Sequence, residues 1–396
     1  IGAMWRLLER PSRLRLAAAT LISILAVHCL YQNAIIVLAL CLGGGAVAAK
    51  NARWSLAGAV GVVGVVSAVS LLPYIAVVRR ASEWNEATQI AIDFDRITEV
   101  LHRALAASGS WIPWIWGGLL FVAVALAVSH LVHRPAEDSA RRFELSLFLL
   151  SSTAITTIGY YLFLRITKFP TEEWYYLLPM AIVAVAGDAL IAAGADTVSA
   201  RFLRPLTALI AAAFVFPVAV PALQIRATNA DILATRLNEA VSAKDVIVVH
   251  PWFCAVSIGR YYTGAAKLMT LPPLADHKLQ RLDLFKQQMA QETPLRPVLV
   301  EMEAALRTGG TVWLVGEYPF ANPPQPAPSL PPAGEGPEGW RGAPYMAVYG
   351  MEAAYFIQMN ALQSARVDVP VAQPVHPFER LPLRTVSGWR SSRWPW

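Results

Sequence analysis

Residues 168 to 179 read KFPTEEWYYLLP and stand at the head of an apolar run, where a chain entering lipid ordinarily sheds its charge. Lys168 offers a point cation suited to a phosphate. Trp174, Tyr175 and Tyr176 offer flat faces and two hydroxyls suited to a sugar or an isoprenoid edge, and Glu172 and Glu173 offer acceptors that would orient hydroxyl groups. The same stretch also makes a sound membrane anchor, an aromatic belt with Thr171 capping a helix start and both glutamates favoured by the helix dipole. The glutamates and Trp174 fit the anchor slightly better, whereas Lys168 with the tyrosines fits a binding role.

A second set lies in the polar half of the chain. Arg260 and Tyr261, with Tyr262, Asp276, Arg281 and Asp283, follow a strand-to-helix transition, a common place for ligand contacts in open α/β sheets. Trp252 and the Pro272-Pro273 pair read as architecture, Arg281 with Asp283 as a solvated pair, and His250, ending an apolar strand, as a core residue. The Asp93-x-Asp95 pair falls in a helical pattern, where residues two apart point to nearly opposite faces and cannot chelate one ion. There is no Cys/His metal spacing, no phosphate-cradling Gly loop and no Ser nucleophile elbow, so neither metal nor cofactor is expected. Cys29, Cys41 and Cys254 are too scattered to suggest a disulfide.

The elements that must hold these residues follow from composition. Of 396 residues 56% are hydrophobic and only 15% charged, against about 25% in soluble domains, which makes this a membrane protein. The net charge of +6 does not point to nucleic acid, because Lys and Arg sit at the ends of apolar runs rather than in one basic stripe. Seven runs approach spanning length, near residues 14 to 30, 34 to 49, 55 to 78, 111 to 132, 143 to 165, 174 to 194 and 204 to 223. The N-terminal segment and the connections near 50, 134 to 142 and 201 to 204 carry more Lys and Arg than those near 79 to 103 and 165 to 168. That asymmetry puts the former inside and the 168 to 179 stretch outside. The first run follows a basic segment but lacks a small-residue cleavage site, so it reads as a retained helix.

The predicted organisation is a polytopic α-helical bundle over residues 1 to 224, with an interfacial helix near 86 to 105, followed by an external α/β domain over 225 to 396. In the interfacial helix Ile90, Phe94, Ile97 and Leu101 recur at helical spacing, with Asp95, Glu99 and His102 turned away. In the second domain DVIVVH (245 to 250) and TVWLV (311 to 315) read as strands. Helical patterns over 231 to 243, 297 to 307 and 345 to 362 suggest a largely parallel sheet, with a Pro/Gly-rich insert near 319 to 344 and an irregular end.

A Lys shortly before a Tyr-rich helix start that ends in Leu-Pro, here Lys168, Tyr175, Tyr176, Leu178 and Pro179, resembles the bacterial GT-C membrane glycosyltransferases, the branch of protein O-mannosyltransferases and the lipid A aminoarabinose transferase. VVHPW, GRYYTG, LPPLAD and RLDL in the second half are similar to the external C-terminal domain of large members. The resemblance implies transfer of a sugar, with inversion, from a polyprenyl-phosphate donor to a lipid, glycan or protein acceptor on the outer face of the bacterial cytoplasmic membrane. It implies no tightly held metal, membrane lipid as a constant partner, and Lys168 on the departing lipid phosphate. In the family the essential acid lies in the first external loop, and the first external turn here, Tyr31, Gln32 and Asn33, has none. The expectation is therefore a later portion of such an enzyme, without its early helices and catalytic acid and inactive alone. Two rival readings are an O-antigen ligase or polymerase, and a non-enzymatic membrane receptor or assembly subunit.

Overall fold

In lipid every backbone N–H and C=O must be satisfied within its own segment, so long apolar runs fold as helices. The computed structural model describes residues 1–84, 92–107, 109–132, 138–168, 171–194, 198–330 and 342–390. The chain divides into two compact units, Ile1–Arg80 with Ile90–Val218 and Ala219–Trp396 with Ala81–Gln89.

The first unit is helical: α1 (Gly2–Glu9), α2 (Arg13–Cys29), α3 (Asn33–Lys50), α4 (Trp54–Val69), α5 (Ile75–Trp84), α6 (Phe94–Ala106), α7 (Ile112–Val132), α8 (Asp138–Thr167), α9 (Leu177–Gly194) and α10 (Val198–Leu223). The last residues of α5 and of α10 fall in the second unit. Among the described residues six stretches are long and apolar enough to cross a membrane: Asn33–Lys50, Trp54–Arg79, Ile112–Val132, Ala140–Thr167, Glu173–Ala193 and Arg204–Leu223. The first of the seven expected spans gives α2, a helix of only 17 residues capped by Ser12, whose Oγ accepts from the Arg15 N–H at 3.3 Å. This is a multi-pass membrane bundle.

Its packing uses small residues. A Cβ on Gly43 of α3 would collide with Ser152 Oγ of α8 and stand 3.1 Å from the Phe148 carbonyl, so these two helices meet almost backbone to backbone. At one end α1 seals the bundle with Met4, Leu7 and Leu8, all buried. There Arg53 donates to Glu144 at 3.1 Å and to the Leu8 carbonyl at 3.2 Å. At the other end α6 lies across the tips of its neighbours, with Val100 buried and Ile97, Leu101 and Ala104 packed on Tyr160, Leu164 and Tyr176. The expected interfacial helix is thus present, but Phe94 faces outward and Ile90 falls outside the described residues.

The second unit contains α11 (Ala230–Ala240), β1 (Val246–His250), α12 (Cys254–Tyr261), β2 (Lys267–Thr270), α13 (Leu282–Met289), α14 (Arg296–Arg307), β3 (Thr311–Gly316), α15 (Gly342–Asn360), β4 (Ala361–Val367) and β5 (Leu383–Trp389). The sheet order is β2-β1-β3-β5-β4. β1 pairs parallel with β2 and β3, whereas β5 runs antiparallel to both β3 and β4. The sheet is mixed, not largely parallel, and the end expected to be irregular supplies two strands. Those strands, LRTVSGW and ALQSARV, carry polar residues because one is the edge and the other its neighbour, which hid them behind a weak apolar pattern. Along β1 alternate residues feed opposite cores. Val246 and Val248 pack among Leu299, Met302 and Phe356, and Ile247 and Val249 among Leu233, Leu237 and Ile258. Of the expected insert, residues 331–341 lie outside the described residues, and Gly342 already begins α15.

Candidate functional site

The connection between α8 and α9 is built by how α8 stops. Thr167 Oγ1 donates back to the Phe163 carbonyl at 2.9 Å, and the Lys168 N–H donates to the Leu164 carbonyl at 3.1 Å. Lys168 itself has φ +49°. A left-handed residue just after a helix is ordinarily Gly or Asn, and a lysine there costs on the order of 1 kcal/mol. After two residues outside the described set, Thr171 turns inward, Glu172 is extended, and Glu173–Tyr176 form one 3₁₀ turn leading into α9.

Beneath this connection sits a polar and aromatic floor. The Tyr160 hydroxyl donates to the Tyr175 carbonyl and lies 3.5 Å from Oε1 of Gln32, itself buried in the α2–α3 turn. The rings of Tyr160 and Tyr176 meet edge to face, with centroids 6.5 Å apart. Trp174, 62% exposed, stacks on Tyr175 at 6.2 Å. From α6, Arg103 reaches Glu173 at 3.1 Å and Glu99 at 3.1 Å, while Arg96 holds the other oxygen of Glu99 at 3.1 Å. Arg165, one turn before Lys168, donates to the Tyr161 hydroxyl at 3.3 Å.

The expected residues divide accordingly. Lys168, Glu172, Glu173 and Tyr175 share one end of the bundle, while Tyr176 is buried and acts as a packing wedge under them. Thr171 is not the helix cap it was expected to be. Its side chain is buried, its hydroxyl lies 3.4 Å from that of Tyr176, and the N-cap position belongs to Glu172 without a side-chain cap bond. Asp93 is a cap, accepting from the Arg96 N–H at 2.8 Å, which accounts for it without a metal. Among the described residues no group of three or more His, Cys, Asp or Glu side chains is placed to hold a metal ion. Gln32, Tyr160 and Arg165 were missed as a group. The available signal was polarity inside or beside apolar runs, which marks function or a buried partner.

In the second unit Arg260 and Tyr261 close α12 and are exposed. Asn238 donates to the Tyr261 carbonyl at 3.2 Å. Because α12 runs back from the end of β1, they sit by the starts of the parallel strands, opposite the edge where open sheets bind ligands. The loop after β2 is at the favoured edge. There Arg281 grips Asp283 through two bonds, 2.9 and 2.6 Å, and reaches Asp276 at 3.4 Å, holding the Asp283 carboxyl below the usual range. His250, at the end of β1 beside Gly316, is buried, with its ring 5.5 Å from that of Tyr318 and Nδ1 without a hydrogen-bond partner. Burial pushes its imidazole down to about 4, so it is neutral near pH 7. Burial likewise pushes the Cys254 thiol up to about 12.

Comparison with protein-family models, with curated proteins and with solved structures gave no match.

Proposed function

We propose that the chain takes part in the transfer of a sugar from a polyprenyl-phosphate donor to an acceptor at the outer face of the bacterial cytoplasmic membrane, with the α8–α9 connection as the donor-phosphate site and no residue of this chain assigned as the catalytic acid or base. The acceptor hydroxyl attacks the anomeric carbon and gives up its proton to water, the bond from that carbon to the lipid-phosphate oxygen breaks, and the lipid phosphate leaves with the bonding pair and the negative charge. Lys168 stabilises that charge, Glu172 accepts a hydrogen bond from a hydroxyl, and Trp174 with Tyr175 offers a face to the sugar ring. The observation that carries this reading is Lys168 itself, a lysine in a backbone conformation that glycine would adopt more cheaply, at the end of an apolar helix, where a lipid phosphate lies. Lys168→Gly is therefore the informative variant, because it suits the turn while it removes the side chain with its ammonium. In membranes that carry these residues within an active full-length enzyme and are supplied with a radiolabelled polyprenyl-phosphate sugar, Lys168→Gly should lower transfer about 100-fold, and Lys168→Arg should keep part of it. Equal transfer by Lys168→Gly and the parent at equal protein level would return the residue to a membrane anchor.

A second reading, a non-enzymatic receptor or assembly subunit, is favoured by one observation. The groove between α2, α3 and α4, of about 540 Å³, is lined by apolar and small residues such as Val37, Leu38, Gly61 and Gly64. Its one hydroxyl, that of Ser67, already donates to the Val63 carbonyl at 2.8 Å. Donor-dependent transfer separates the two readings, since a receptor gives none with any polyprenyl-phosphate sugar.

A further inference from the structure

The end of the bundle opposite Lys168 carries a second feature. The turn between α1 and α2 and the turn between α3 and α4 border an open pocket of about 410 Å³, lined by Pro11, Ala52, Arg53, Trp54 and Ser55 with Leu56 and Ala59 at its apolar side. Arg53 is fixed in its wall by Glu144 and the Leu8 carbonyl. Exposed Arg10 and Arg13 flank Pro11 in the chain, and Arg15 donates to the Arg10 carbonyl at 2.6 Å, which brings a further guanidinium to the same turn. The two carboxylates beside it are already taken, Glu144 by Arg53 at 3.1 Å and Glu9 by Arg141 at 2.6 Å. The remaining charge is positive. Trp54, 69% exposed, is the first residue of the apolar stretch Trp54–Arg79, so the pocket lies at the level where headgroups meet hydrocarbon. Directly along α4 from it, Val62, Val65 and Val69 are exposed and give acyl chains a continuous apolar track.

We infer that this pocket holds the phosphate of an anionic phospholipid, with the acyl chains along α4. Basic pockets between helix ends are the usual recognition mode for such headgroups, each nearby cation contributing about fivefold in affinity. The required chemistry is a phosphate monoanion, which a free phosphate also supplies, so the test must separate the two. It is independent of the glycosyl-transfer reading, which concerns the other end of the bundle.

The test is native mass spectrometry of the full chain in neutral detergent, titrated with phosphatidylglycerol, with phosphatidylcholine of the same acyl chains, and with inorganic phosphate. Phosphatidylglycerol should be retained at least tenfold more tightly, and a 1 M salt wash should weaken it. Arg10→Gln with Arg13→Gln should cost about 25-fold in phosphatidylglycerol affinity, that is, two cations at about fivefold each. Lys244→Gln with Lys278→Gln, two exposed lysines of the second unit, removes the same charge and should cost nothing. Equal retention of the two lipids, or equal loss in both double variants, would overturn the site. Binding of inorganic phosphate as tight as that of phosphatidylglycerol would overturn the lipid assignment.

Discussion

The two units bury apolar surface by different means. In the second, all five residues of β1 are buried, with large side chains such as Phe356, Tyr349 and Trp252 filling one side of the sheet and Leu233, Leu237 and Ile258 the other. In the bundle, α3 and α8 meet closely through Gly43 and Ser152, yet no residue from Arg204 to Leu223 of α10 is buried. That stretch is tied to its neighbours by the bidentate Arg204 to Asp188 pair and by Phe214 edge-on to Trp111. Water forces the second unit to hide its apolar side chains, whereas lipid lets the bundle leave them outside. An apolar residue therefore means core in one region and surface in the other.

The contrast breaks first at Gly316. Its φ is +101°, and an added Cβ would overlap the His250 carbonyl oxygen, where β1 and β3 run side by side. Gly316→Ala should cost more than about 4 kcal/mol, the range of exceptional single substitutions, read as loss of amide protection in β1 and β3. Protection unchanged in this variant would mean the two strands are looser than the packing implies. Leu314→Ala comes next. Leu314 is 0% exposed in the sheet centre, and a cavity there should cost about 2–5 kcal/mol by chemical unfolding of the intact protein.

How much of this was legible follows the same contrast. Runs over 245 to 250 and 311 to 315 gave strands because a sheet covered on both faces reads as continuous apolar sequence. Edge strand 361–367 and its neighbour 383–389 did not, because their polar faces leave no such run. The spans were plain in the sequence, but which of their faces pack was not, since α7 and α10 are apolar all round. At the candidate site Lys168, Glu173 and Tyr175 were visible from crowding of polar and aromatic types. The positive φ of Lys168 was not, since nothing in lysine favours it. Nor was the burial of Tyr176, which tertiary packing against α6 and α8 decides, or that of Thr171, whose hydroxyl lies 3.4 Å from that of Tyr176.

Acid sharpens the comparison. His250 has a folded pKa of about 4 against an ordinary 6.5, so the unfolded chain binds more protons between those values and stability rises with pH there. Its contribution is complete above about pH 6.5 and is lost as pH falls toward 4, on the order of 3 kcal/mol in all. Protection factors of the Ile247 to Val249 amides, that is, exchange relative to the unstructured rate at the same pH, should fall as pH drops through that window in the parent and lose most of this pH dependence in His250→Asn. The smallest effect belongs to the bundle. Phe216, 67% exposed on α10, should change thermal stability in lipid by no more than about 0.5 kcal/mol when replaced by Ala. A cost matching that of Leu314→Ala would show α10 packed against something and erase the distinction between the units.

The central claim is that the α8–α9 connection binds a lipid phosphate through Lys168, and binding tests it more directly than turnover. Purified protein should be titrated with a polyprenyl phosphate and with the corresponding polyprenol, in the parent, Lys168→Gly and Lys168→Arg. The account expects the phosphate to bind at least tenfold tighter than the alcohol in the parent, that margin to vanish in Lys168→Gly, and part of it to survive in Lys168→Arg. Equal binding of phosphate and alcohol by the parent, or an unchanged margin in Lys168→Gly, would contradict it.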